Sequence, residues 1–558
     1  MYAYSTPGVY FEWIDVQPPI LLLRTDISGF VGIAERGPLH TPLKIESWAQ
    51  FTGNFGGHIP QAFLAYAVQG FFENGGRTCW IVRVADPDRA VPAAINCGEP
   101  WPAGDGIKPV FRLVASSPGG WGMKLFCRIA RTGVDRFLLT LQLPDGAREM
   151  WRDLRLDPND PRYVKTVLND KQNGSRLVTV TEPDSTGGSD CYATLPGISL
   201  QGGAGFLECG RDGLETLRIE HFSGESSPPN RPWGLAALAP IDEVSILAMP
   251  DIMPKPMVEQ PIKKPRLPRC DALHAEPTPP STPDEPLEFP PQFSTQEIAA
   301  LQVSLIQHCE SLKDRVAILD SLNGFTTERV ITWRRDFSSK YAALYHPWLL
   351  APDPLELEGL LRAVPPSGHV AGIYARGDQR VGVHKPPANE IVEDVNDVQT
   401  QIDDVVHGLL NDQAVNVIRP YNGRGIRVAG ARTLSSEIEW RYVNVRRLMT
   451  MIEEAIDEAT QWTVFEPNNR ALWRDIDRVA RSFLDTIWRR GMLDGATAEE
   501  AYFVRCDETT NPPEETEAGR AICLIGVQPP WPAEFVVVRI GKTQGRTEIT
   551  ELNGGRNA

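Results

Sequence analysis

The stretch RPYNGRGIRVAGARTLSSEIEWRYVNVRRLMTMIEEAIDEATQW, Arg419 to Trp462, decides how the rest of the chain is read. It passes from a glycine-punctuated strand through a turn into a long amphipathic helix. Ser436 and Glu439 have the spacing of a capping box, in which each side chain satisfies an orphan backbone donor of the first turn, so the helix is expected to start there. From that point Ile438, Tyr442, Val445, Leu448, Met449, Ile452, Ala455, Ile456 and Ala459 recur at helical spacing and define one core-facing stripe. A second helix is predicted over Asn468 to Arg490, with Leu472, Ile476, Val479, Phe483 and Ile487 as its stripe and Gly491 as its stop. These elements make residues 368–528 the core domain to which the remaining segments attach.

A chain of 558 residues is too long for one hydrophobic core, and 42% hydrophobic with 23% charged residues is the composition of a globular protein. No apolar run approaches the ~20 residues of a membrane helix, and Met1 to Tyr10 lacks the basic and apolar regions of a signal peptide, so folding in the cytoplasm without membrane insertion is expected. A formal charge of −16 argues against a nucleic-acid partner, whose phosphates call for a basic footprint. The nine cysteines stand singly, with no CxxC pair and no histidine at zinc-ligand spacing, which reads as reduced thiols and no metal site.

In chain order, STPGVYFEWIDVQPP opens with a Pro-Gly turn and an extended run in which Val9, Phe11 and Trp13 share one side around Tyr10. Pro18 and Pro19 cut it off, leaving residues 1–19 as an arm that must find a sheet edge to pair with. Residues 20–86 alternate strand, helix and strand. Residues 87–222 are rich in glycine and proline with short strands at Phe111 to Ala115, Leu125 to Ala130, Phe137 to Leu143 and Leu177 to Thr181, and form an inserted β-rich domain. The α/β pattern resumes over 223–367, with helices at Thr295 to Ser311 and Thr326 to Phe337 and strands at Val244 to Ala248, Arg315 to Asp320 and Tyr341 to Leu350. Within it, residues 253–291 are proline-dense and read as a surface linker or a proline-rich recognition segment. The fold class is therefore α/β (α+β), multidomain, with a discontinuous core. Residues 529–558 form a second arm: Phe535, Val536, Val537, Val538 and Ile540 make a β-prone run after Pro529, Pro530 and Pro532.

The phrases YAALYHPWL (Tyr341 to Leu349), VPPSGHVAGIYARGDQRVGVHKPPAN (Val364 to Asn389), GARTLSSEIEWRYVNVRRL (Gly430 to Leu448), FEPNNRALW (Phe465 to Trp473) and PPWPAEFVVVRI (Pro529 to Ile540) resemble the tail sheath proteins of contractile phage tails and of phage-tail-like injection particles. The opening TPGVYFEWI resembles the sheath N-terminal arm. The resemblance implies a sheath subunit that polymerises in hexameric rings around an inner tube protein, between a baseplate and a terminal cap. It implies β-strand exchange through both arms and contraction from a metastable extended state. It also implies assembly in the bacterial cytoplasm into a virion tail or a released or anchored particle. The proline groups at Pro18 and Pro19 and at Pro529, Pro530 and Pro532 are then the hinges. From the residues alone, both arms could equally add to the chain's own sheet.

Arg470, Arg474, Arg478 and Arg481 recur along one face of the second helix, while Glu453, Glu454, Asp457 and Glu458 crowd the last turns of the first, the unfavourable end for acids. Either these are solvated faces, or they meet neighbouring subunits or the tube. Enzyme signatures are missing. Gly541-Lys542-Thr543 lacks the glycine of a P-loop, with Val536 in its place, and Gly202, Gly203 and Gly205 open no helix. No GxSxG elbow or HExxH helix occurs. His346, His369 and His384 read as structural or surface groups, and Arg376-Gly377-Asp378 as a chance tripeptide. No cofactor is expected, and an α/β enzyme with a regulatory insert is the competing reading.

Overall fold

The computed structural model describes residues 22–100, 107–183, 192, 195–225, 227–228, 230–253, 288–355, 361–534, 538–543 and 546–551. Val9, Tyr10, Phe11, Trp13, Pro18, Pro19, Phe535, Val536 and Val537 lie outside them, as does most of the proline-dense 253–291 segment. The chain forms two compact units. One comprises Thr25–Val381 with Pro386–Val443, and the other Met1–Arg24, Gly382–Lys385 and Asn444–Ala558. Residues 368–528, expected as one domain, are thus shared between the two.

The larger unit is built on an eight-stranded sheet in the order Gly425–Val428, Val415–Tyr421, Ala342–His346, Val316–Asp320, Ile246–Ala248, Ser28–Gly32, Cys79–Arg83, Leu43–Ile45. Every pairing is parallel except the outermost at each end, where Gly425–Val428 and Leu43–Ile45 run antiparallel to their neighbours. Parallel strands are covered on both faces, which is why SGFVG, VAILD and AALYH are buried at every position. The strand expected over Tyr341 to Leu350 is two. Pro347 has no N–H to give to a ladder, so the chain leaves the sheet after His346. Leu349–Pro352 then joins Leu361–Val364 and Asp397–Val398 in a separate three-stranded sheet.

Two buried carboxylates fix helices to this sheet. Asp251 accepts from the backbone N–H groups of Ile33 (2.7 Å), Phe63 (2.6 Å) and Leu64 (3.2 Å), at the start of helix Leu64–Glu73. Asp320, at the end of its strand, accepts from the N–H of Ser367 at 2.8 Å, where helix Ser367–Arg380 begins. Burial pushes the Asp320 carboxyl up to about 7. The two helices approach closely because Gly368 and Gly372 carry no Cβ: one would stand 2.3 Å from the Ala67 carbonyl oxygen, the other 2.4 Å from that of Phe71. The Arg376-Gly377-Asp378 tripeptide lies inside helix Ser367–Arg380, with Arg376 paired to Glu390 and Asp378 accepting from Thr25.

Between Cys79–Arg83 and Ile246–Ala248 the chain forms two four-stranded sheets. These are Gly197–Ser199, Ala94–Pro100, Ile107–Ala115 and Val178–Thr181, and Gly203–Phe206, Phe126–Arg131, Phe137–Gln142 and Arg148–Leu154. Leu113, Cys127, Leu139, Leu141 and Val178 are fully buried in a core of their own, as expected when alternate residues of facing sheets interdigitate. Arg83 ties the base of these sheets to the parallel sheet: the guanidinium, 1% exposed, donates to the carbonyls of Ala34, Gly37 and Pro118 and sits 3.5 Å from Asp212.

Candidate assembly elements

The smaller unit carries most of the residues singled out for contact with other chains. Its first helix is Val443–Thr460, which begins seven residues beyond Ser436. The segment between is irregular: Ile438–Trp440 form a single 3-10 turn, and Ile438 is 62% exposed rather than part of a stripe. Tyr442 bridges back to Arg432, so a local strand-like contact displaces the capping box expected at Ser436 and Glu439. The helix buries Leu448, Met451, Ile452 and Ala455 against Ala480, Phe483, Leu484 and Ile487 of helix Arg470–Arg489. Asn469 caps the latter, accepting from the N–H groups of Ala471 and Leu472. Leu22 and Leu23, the first described residues after the N-terminal arm, pack on the same core.

The four arginines singled out on helix Arg470–Arg489, Arg470, Arg474, Arg478 and Arg481, are exposed, and three of these four have partners within the chain. Arg470 pairs with Glu508 at 2.6 Å, Arg478 with Asp475 at 3.0 Å and Arg481 with Asp477 at 2.7 Å. Arg474 pairs with no described residue. On helix Val443–Thr460, Glu453 holds Arg446, whose side chain is 2% exposed, at 2.9 Å, so a buried cation accounts for that acid. Asp457 accepts from Gln461 at 3.1 Å, and Glu458 is exposed. Glu454 is half-buried.

Beyond the helices, Tyr502–Arg505 and Leu524–Val527 form an antiparallel pair. Among the described residues neither strand has a second strand beside it, and on the outer edge of Tyr502–Arg505 the Val504 carbonyl accepts from the Arg481 guanidinium. Pro529, Pro530 and Pro532 follow in half-buried coil, with the Pro530 carbonyl accepting from the side-chain amide of Asn444 at 3.3 Å. The chain then forms a hairpin, Val538–Thr543 with Arg546–Glu551. Val538 and Ile540 therefore belong to a two-stranded ribbon where a single extended strand was expected.

The histidines are structural in geometry. His346 Nδ1 lies 2.8 Å from the buried Ser321 hydroxyl, and His369 is 1% exposed beneath Gly70. Burial lowers both rings to about 4. Sequence reasoning missed two features. Trp462, Val464 and Phe465 are 37, 60 and 103% exposed at the turn between the two helices, where a hydrophobicity pattern without helical period gives no warning. Cys506 and Cys523, seventeen positions apart in sequence, are neighbours across the small sheet.

Residues 289–434 match the family model of the phage tail sheath protein central domain, and residues 435–542 that of the phage tail sheath C-terminal domain. A prophage chain of Pseudomonas aeruginosa (strain UCBPP-PA14) described as a major tail sheath protein is 24% identical over 243 residues, covering 42% of this chain and 60% of that one. The tail sheath protein of Salmonella phage ViI is 23% identical over 286 residues, 49% of this chain and 44% of its own. The chain thus spans less than two thirds of either relative. In fold it resembles the helical sheath of the anti-feeding prophage in its contracted state, with a TM-score of 0.54 at 20% identity over 97% of this chain and 100% of that one. The contracted sheath of the extracellular contractile injection system PVC gives 0.52 at 19% identity, over 97 and 99%.

Proposed function

Residues 289–542 are the central and C-terminal domains of a phage tail sheath family protein, and from that premise we propose that this chain is the structural subunit of a contractile sheath. It polymerises with itself in stacked hexameric rings around an inner tube protein, between baseplate and terminal cap, and shortens from a metastable extended state to drive the tube through a target envelope. The observation that carries this reading is the likeness of 97% of the chain to a helical sheath in its contracted state. Two packings of the same folded subunits suffice for the stroke, provided the contracted one buries more surface. At ~25 cal/mol per Å² of apolar area, a few hundred Å² gained per subunit is worth several kcal/mol, multiplied along the sheath.

The lattice is kept connected by β-strand exchange. The outer edges of Tyr502–Arg505 and Leu524–Val527 are acceptors for strands from other subunits, donated by the Val9 to Trp13 run and by the segment around Val538. Main-chain hydrogen bonds supply the strength and alternate side chains the register. Pro18, Pro19, Pro529, Pro530 and Pro532 keep the connecting segments non-helical as subunits shift. Arg474 and the exposed turn Trp462 to Phe465 are surfaces for a neighbouring subunit or the tube.

Assembly takes place in the bacterial cytoplasm, and the particle is a virion tail or a released or anchored injection particle. Negative-stain microscopy of the purified chain tests the function: rings or striated cylinders are expected, whereas discrete small oligomers at all concentrations would return the chain to the enzyme reading.

A further inference from the structure

The register of the small sheet in the C-terminal unit places two thiols face to face. Arg505 pairs with Leu524, so one step further Cys506 stands opposite Cys523. The Gln528 N–H donates to the Ala501 carbonyl at 2.8 Å, which marks 501 and 528 as a hydrogen-bonded pair. Pairs alternate along an antiparallel ladder, and five steps on the 506/523 pair is non-hydrogen-bonded, the kind with Cα atoms about 4.5 Å apart and side chains closest. That separation falls inside the ~4.4–6.8 Å range a disulfide spans.

The two side chains pack against one another. Cys506 Sγ also accepts from Asn511 Nδ2 at 4.0 Å, and Asn511 is itself clamped by the backbone of Asp507 and Ile522. The neighbouring Cys523 side chain and Asn511 favour the thiolate at Cys506 and hold its thiol below the ordinary range, while the adjacent Cys506 and burial push Cys523 up. Cys506 is buried and Cys523 half-buried, beside Leu472, Trp473 and Ile476. The fully buried Cys97 and Cys127 of the two four-stranded sheets offer a contrast, since burial raises both of their thiols.

We propose that Cys506 and Cys523 are an oxidisable dithiol that closes into an intrachain disulfide across the Tyr502–Arg505 and Leu524–Val527 pair when the protein meets hydrogen peroxide. The Cys506 thiolate attacks one peroxide oxygen; the O–O bond breaks and the departing hydroxide takes a proton to become water, leaving Cys506 as a sulfenic acid. The Cys523 sulfur then attacks the Cys506 sulfur, the S–O bond breaks, and the hydroxide leaves with the Cys523 proton as a second water. Two thiols are oxidised by two electrons and one peroxide is reduced to two waters. The bond closes the 507–522 loop and pins the two strands to one another. It stands on the sheet's own geometry, independent of the assembly reading.

The test treats the full-length chain with increasing hydrogen peroxide, blocks remaining thiols with N-ethylmaleimide and maps peptides without reduction. A linked peptide pair containing Cys506 and Cys523, released by dithiothreitol, is expected at peroxide concentrations about tenfold below those that modify Cys79, Cys97, Cys127 or Cys309. C523S is expected to stop at a dimedone-reactive Cys506, and C506S to leave Cys523 unoxidised over the same range. The proposal is overturned if both thiols of the unmodified chain remain alkylatable at doses that oxidise the others, an outcome that needs no variant to fold. It is equally overturned if C506S oxidises at Cys523 as fast as the parent.

Discussion

The two units of this protein are built on opposite principles. In the larger, eight strands are paired in one sheet, helices start on buried carboxylates, and Asp251 by itself joins chain segments more than 180 residues apart. In the smaller, two helices and a two-stranded sheet share a modest core, and much of the remaining surface is charged helix face and open strand edge. A unit that satisfies its own backbone resists deformation; a unit that leaves edges open is stable only to the extent that something else completes it. The difference separates a unit that closes on itself from one that leaves strand edge and charged helix face at its surface.

Removing Met1 to Val16 is the most severe way to break the contrast. The larger unit's melting transition should persist while cylinder formation in electron micrographs is lost; ordinary cylinders would eliminate N-terminal exchange. Next comes Asp251→Ala, which strands three buried N–H groups and is expected to destabilise the larger unit by about 3 kcal/mol or more in denaturant titration, with Asp251→Asn intermediate. A loss within experimental error would mean the helix start does not depend on the carboxylate.

Acid should act on the same unit. His40, His58, His308, His346 and His369 are lowered from 6.5 to about 4 by burial. The unfolded chain takes up protons below 6.5 that the folded chain refuses, so this stability is present above pH 6.5 and is lost as pH falls toward 4. Asp320, raised to about 7, has the opposite sign: its contribution is largest in acid and disappears as pH rises through 7. Five rings against one carboxyl predict a falling thermal midpoint between pH 6.5 and 5, above the range of ordinary carboxylates. Asp320→Asn should make that fall steeper, and a shallower one would reverse the assignment. The smallest effect on stability is expected from reversing Arg474 and Arg478 to Glu. Exposed ion pairs are worth roughly 0–1 kcal/mol, so the isolated chain should melt almost unchanged. Polymerisation is the sensitive readout, and unaltered cylinders would make that face merely solvated.

Several elements were legible in the residues because their signals are local. The helix Asn468 to Arg490 was expected within two residues of its observed Arg470–Arg489, since stripe, cap and stop all act within a turn or two. Buried parallel strands such as Val316–Asp320 announce themselves as short apolar runs. The start of Val443–Thr460 was misplaced because a capping box competes with long-range pairing, and the Arg432–Tyr442 bridge wins. Arg446 explains Glu453 from seven positions away, a separation too long for the usual helix-face pairs.

By itself, then, the sequence determined the alternation of strands and helices, the short apolar runs of the buried strands, and two terminal runs of β-forming residues set off by prolines. All of these follow from propensity and periodicity over a few residues. Only the tertiary structure decided that residues 368–528 divide at the start of helix Val443–Thr460, that Asp251 and Asp320 anchor helices, and that Cys506 faces Cys523. Those depend on which distant segments come together, and a pairing across tens or hundreds of residues leaves no local periodicity to read.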